Sequence, residues 1–92
     1  MSAPRVGPIL IPSAASEAVI AAIRDRHDDV RVEDQGGYLR VSCPAPCRVS
    51  ASEIEARLGS AFRLPSDLEA IMPSFQGKLV LSDSEVSWQW RA

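Results

Sequence analysis

The side chains with the most chemistry to offer are Cys43, Cys47 and His27. The thiols stand in Cys43-Pro44-Ala45-Pro46-Cys47, a wider spacing than the Cys-x-x-Cys of a thioredoxin-type redox pair. A structural zinc site takes about four ligands, and the chain has a single histidine and no second cysteine pair. The residues therefore predict small, buried or half-buried thiols at a strand end, kept reduced in a cytoplasmic chain. A surface disulfide across the turn is the alternative. His27 reads as a solvated residue at a helix end, without a partner that would make it a ligand or a base. Asp25, Asp28, Asp29, Glu33 and Asp34 match no calcium loop and read as a solvated acidic edge. There is no glycine-rich phosphate loop and no recognisable nucleophile–histidine pattern. On chemistry alone the chain predicts a binding or regulatory protein, with no cofactor, no metal and no catalytic residue.

Composition narrows the partners. A net charge of −2 lacks the basic stripe of a nucleic-acid binder. A hydrophobic fraction of 46% is ordinary for a chain that buries one core, so residues 1–92 are expected to form a single domain. No apolar run approaches the roughly 20 residues of a membrane span. Met1-Ser2-Ala3-Pro4-Arg5 has no charged-then-apolar signal pattern, which predicts a cytoplasmic location and no membrane partner. These first five residues are expected to be loose.

The elements that must position these residues start from Val30–Val41. Val30 and Val32 alternate with Arg31 and Glu33, Gly36-Gly37 suit a tight turn, and Leu39 and Val41 face away from Tyr38 and Arg40. This is a β-hairpin. Before it, Val6–Pro12 reads as a strand that Pro8 and Pro12 make short or confine to a sheet edge. Ser13–His27 reads as a helix, capped by Ser13 or Ser16, with Val19, Ile20, Ala22 and Ile23 as its apolar stripe. After the hairpin come a short strand at Arg48–Ser50 and a helix opened by the capping box Ser50-Ala51-Ser52-Glu53 and closed by Gly59. Pro65 begins another short helix, which Pro73 stops. Ser74–Ser82 reads as one strand with Leu79 and Leu81 on one face, bending if anywhere at Gly77. Val86, Trp88 and Trp90 alternate along a last strand, which predicts both tryptophans in the core beside Ile23 and Leu58. The order gives an α+β domain of two βαββ-like units, an antiparallel sheet with helices packed on one side.

Three stretches then resemble one family. Val32-Glu33-Asp34-Gln35-Gly36-Gly37-Tyr38, Ile54–Phe62 and Ser74-Phe75-Gln76-Gly77, with Val6-Gly7-Pro8 before them, are similar to the small effector proteins of soluble diiron monooxygenases. These are the regulatory or coupling components of methane, phenol, toluene and alkene monooxygenase systems. The resemblance implies an α+β fold of two βαββ units and no enzyme activity or cofactor of its own. It implies one partner, the diiron hydroxylase, whose electron input and oxygen activation the effector couples to hydrocarbon oxidation. The free protein is expected to be a monomer. The resemblance places the docking face at Ser74, Phe75, Gln76 and Gly77, extended by Tyr38 and Arg40 on the hairpin. Gly77 is expected to admit close backbone approach, so that Gly77→Leu would weaken docking and spare the fold. The long N-terminal tail of the methane branch has no counterpart here, and Cys43–Cys47 is foreign to the pattern. A ferredoxin-like module that binds a small molecule is the competing reading, and a thiol redox protein a third.

Overall fold

The computed structural model describes residues 4–90. The chain runs β1 (Arg5–Leu10), α1 (Ala14–Arg26), β2 (Arg31–Asp34), β3 (Leu39–Pro44), β4 (Cys47–Ser50), α2 (Ala51–Leu58), α3 (Ser66–Glu69), β5 (Ser74–Gln76), β6 (Lys78–Leu81) and β7 (Glu85–Gln89). The strands form a four-stranded sheet, β2-β3-β1-β5, and a three-stranded sheet, β4-β7-β6, and every pairing is antiparallel.

The expected βαββ units are both present, with one topology. In each, the last strand lies between the first strand and the strand it forms a hairpin with: β2-β3-β1 in one unit, β6-β7-β4 in the other. Strand β5 is the exception. It comes from the crossover of the second unit and pairs with β1 of the first.

Local chemistry explains the helices. Ser13 caps α1 by accepting the Ser16 N–H, and the Ser16 hydroxyl in turn donates to the Ile11 carbonyl. Ser50 caps α2 through the full reciprocal box with Glu53, and Gly59 closes it in the left-handed conformation. Both helices lay their apolar residues on one core, where Val19 and Ile23 of α1 and Ile54 of α2 join Val6, Leu10, Val41, Val49, Val86 and Trp88. Across the helix–helix contact Arg57 of α2 donates from Nε and Nη2 to the two carboxylate oxygens of Asp25 of α1.

Four expectations need correction. Pro8 does not put β1 at an edge, since β1 is flanked by β3 and β5. The β1–β3 register pairs Val6 with Cys43 and Ile9 with Arg40 and skips the residues between, so the proline sits where the ladder is already interrupted. Gly7 makes that interruption, with φ +150° and a position where a Cβ would overlap the Val41 carbonyl oxygen. Of the N-terminus expected to be loose, residues 1–3 lie outside the described residues, while Arg5 is fixed. Its guanidinium donates to the Ser42 carbonyl at 2.8 Å and pairs with Asp29 at 2.8 Å, and the Pro4 carbonyl accepts the Ala45 N–H. Third, Ser74–Ser82 is two strands in two sheets. Gly77, at φ +106°, turns the chain between them.

Fourth, Trp88 and Trp90 part company. Trp88 is fully buried and Trp90 is 53% exposed. Alternation sets the side on which a residue falls but not where the ladder stops. Here β7 ends at Gln89, and Trp88 pairs with Cys47, the first residue of β4. Trp90 lies past the partner strand, against Ala45, Pro46 and Arg48 at the surface.

Candidate docking surface

The structure brings most of the expected docking residues onto one sheet. In β5, Ser74 pairs with Ile9, Phe75 with Pro8 and Gln76 with Gly7. On the other side of β1, Ile9 pairs with Arg40. Ser74, Ile9, Arg40 and Gln76 therefore share one face across three adjacent strands. The Arg40 guanidinium crosses that face and donates to Gln76 Oε1 at 2.6 Å. Two residues distant in sequence are thus joined over Ile9, which is half-buried. Sequence reasoning missed Ile9. Only the register shows that it lies between them.

Strand β5 has β1 on one side and is the outer strand of the sheet, so its other backbone edge is open. All three of its residues are exposed, including Phe75 at 38%. Alternation puts Phe75 on the Pro8 side, towards the core, but a rim position keeps its ring in reach of solvent. Tyr38 is 48% exposed at the end of the hairpin turn, where its carbonyl accepts the Gln35 N–H at 2.7 Å. It forms no hydrogen bond to the 74–77 segment and stands beside the Arg40–Gln76 bridge rather than in it.

Gly77 is packed closely within the molecule. A Cβ there would stand 2.5 Å from the Gln89 carbonyl oxygen and 2.8 Å from Val6 Cγ1. Gly77→Leu is consequently not a fold-neutral probe of docking, because the turn between the two sheets requires glycine.

The three residues singled out for chemistry also converge. Cys43 and Cys47 are fully buried and free, as expected of thiols at strand ends. A ring nitrogen of His27 and the two sulfurs lie within 4.8 Å of one another. His27 is therefore not the partnerless helix-end residue its sequence context predicts. It is the C-cap of α1, and its Nε2 stands 2.9 Å from both the backbone nitrogen and the carbonyl oxygen of Arg48. A hydrogen bond from the Cys47 thiol lowers the pKa of Cys43, and the same bond, with burial, raises that of Cys47.

The depressions in the surface are open and shallow. One of about 410 Å³ lies between α1 and the β2–β3 hairpin and is lined by Glu17, Ile20, Ala21, Arg24, Val32 and Leu39.

Comparison with known proteins agrees with this architecture. Residues 4–89 match the model of the MmoB/DmpM family, and the chain belongs to that family. It is 37% identical over 89 residues to the alkene monooxygenase system effector subunit of Xanthobacter autotrophicus (strain ATCC BAA-1158 / Py2), covering 95% of this chain and 87% of the relative. Its fold superimposes with a TM-score of 0.82 on a chain from a solved structure of the phenol hydroxylase–regulatory protein complex. That match covers 96% of this chain and 100% of the other, at 15% identity. No helix among the described residues is long and apolar enough to cross a membrane.

Proposed function

We propose that this protein is the effector of a multicomponent monooxygenase, that it binds the diiron hydroxylase component, and that it acts by favouring one hydroxylase conformation. A ligand shifts a conformational equilibrium only by its differential affinity for the two states. The chain needs no reactive group for that, and its own catalytic activity is absent on this reading. Membership of the MmoB/DmpM family and the likeness to an alkene monooxygenase effector support the assignment.

The observation that carries the docking face is the Arg40–Gln76 bridge over an exposed, one-sided strand. It engages the Gln76 carbonyl oxygen and leaves the amide NH₂ to donate elsewhere. Ser74 adds a hydroxyl and Phe75 an aromatic ring at the rim. Exposed polar groups with one aromatic ring at the edge of the same strand are the composition of an interface that forms and dissociates. Tyr38 widens the patch along the hairpin.

The test is a titration of hydroxylase turnover with wild-type protein and with Phe75→Ala, Arg40→Ala and Gln76→Glu, each checked for folding by circular dichroism. Removing an interface anchor is expected to cost about 2 kcal/mol or more, some thirtyfold in the concentration needed for half-maximal stimulation. Phe75→Ala and Arg40→Ala should show it. Wild-type stimulation by all three variants removes this patch from the interface.

A further inference from the structure

We propose that His27, Cys43 and Cys47 form a binding site for a thiophilic d10 cation, with Zn²⁺ as the reference ion. The inference is independent of the effector reading. Three observations carry it. The first is convergence: two sulfurs and an imidazole nitrogen lie within 4.8 Å of one another. Ligands at about 2.0–2.3 Å from one tetrahedral zinc stand roughly 3.5–3.8 Å apart, so small side-chain rotations bring the set onto an ion.

The second is the orientation of His27. A metal-bound imidazole typically donates its other ring N–H to a carbonyl or carboxylate, which fixes the tautomer. Nε2 stands 2.9 Å from the Arg48 carbonyl oxygen. Donation along that line leaves Nδ1 bare and able to ligate. In the other tautomer Nε2 accepts the Arg48 N–H, also at 2.9 Å, and Nδ1 carries a proton that ligation must release. The backbone of Arg48 therefore holds the ring in either protonation pattern.

The third is charge. Both sulfurs are fully buried, and a buried uncompensated thiolate is costly. Two thiolates and a dication sum to zero, with both thiol protons released to solvent. His27 is only half-buried, so a water can complete the coordination from its side. Soft sulfur ligands with an imidazole select zinc-like ions over calcium or magnesium. The ligands come from three elements: Cys43 from β3, Cys47 from β4 and His27 from the end of α1. A bound ion would bolt the four-stranded sheet to the three-stranded one.

The experiment uses the full chain under a non-coordinating reductant, titrated with Co²⁺ as a spectroscopic substitute and then with Zn²⁺. The expected result is saturation at one Co²⁺ per chain, a thiolate-to-cobalt charge-transfer band, and its loss on adding Zn²⁺. Zn²⁺ should also raise the melting temperature. Cys43→Ser with Cys47→Ser should abolish the band. Because buried cysteines can matter for folding, His27→Gln, at a half-exposed position, is the second variant. Losing even an outer partner of a metal ligand typically costs about 10–100-fold in affinity, so His27→Gln should cost at least about tenfold. Absence of the band, its persistence in the folded double cysteine variant, or unchanged affinity in His27→Gln would each overturn the proposal. So would an air-formed Cys43–Cys47 disulfide combined with no metal uptake by the reduced protein.

Discussion

The two βαββ units share a strand order and both feed the core, and the instructive contrast is between their central strands and their rims. In each unit the last strand is central and buries three consecutive residues, Val41, Ser42 and Cys43 in β3 and Val86, Ser87 and Trp88 in β7. The edge strand β2 is the opposite: three of its four residues are exposed, and its hairpin carries the exposed Tyr38. The difference lies in which strands have neighbours on both sides. A central strand with covered faces accumulates large apolar residues, and a hairpin at the rim is free to carry polar ones.

That division is open to direct test. Trp88→Ala should cost roughly 3–5 kcal/mol by denaturant unfolding, the range for emptying a buried aromatic site. Trp90→Ala, outside the ladder, should change stability by about 0.5 kcal/mol or less. Equal effects would mean that the last strand runs on beyond Gln89. Next comes Gly77→Ala. The positive φ and the contact with the Gln89 carbonyl set its cost at about 1–3 kcal/mol, above that of the same change at Gly36, which shares the strain of a positive φ but where a Cβ meets open space. Thermal melts of the pair would reveal whether the joint between the units is as tight as the geometry implies.

A smaller effect belongs to the caps. Ser50→Ala breaks a reciprocal box and should cost about 1 kcal/mol, measurable as a lower denaturant midpoint with an unchanged slope. The smallest is the pH response of the charged seam between the helices. Burial raises the pKa of Glu53, but hydrogen bonds from Ser50 and the charge of Arg26 outweigh it, so the net shift is downward. The Arg57 hydrogen bond lowers that of Asp25. A depressed folded-state pKa contributes stability that is complete above the unfolded-state value, about 4 for these carboxyls, and is lost as pH falls through the folded value. The melting temperature should therefore drop on acidification below about pH 4, and Glu53→Gln should flatten that drop.

Much of the fold was legible in the residues because much of it is local. The box at Ser50 and Glu53, the stop at Gly59 and the turn at Gly36-Gly37 each depend on neighbours a few positions away. The bend at Gly77 was legible too, since glycine in an extended run marks a change of direction. Its destination was not. That β5 joins β1 is a pairing between distant stretches, and nothing in Ser74–Gln76 names its partner. The Arg40–Gln76 bridge and the approach of His27 to the two cysteines have the same origin. Each needs a register that only the assembled sheets supply. Trp90 failed for a related reason, because the end of a ladder is set by the partner strand.

Strand β5 also has a consequence for how the molecule comes apart. A chain built of two similar halves can in principle lose one and keep the other. Here the second half lends a strand to the sheet of the first, and the lending segment is tethered at Gly77 to β6, which is paired with β7. Opening either half strips hydrogen bonds from its neighbour. The two are therefore coupled into one cooperative unit, and partial unfolding, where it occurs, is expected to begin at the exposed edge strand β2 and its turn rather than at the boundary between the halves.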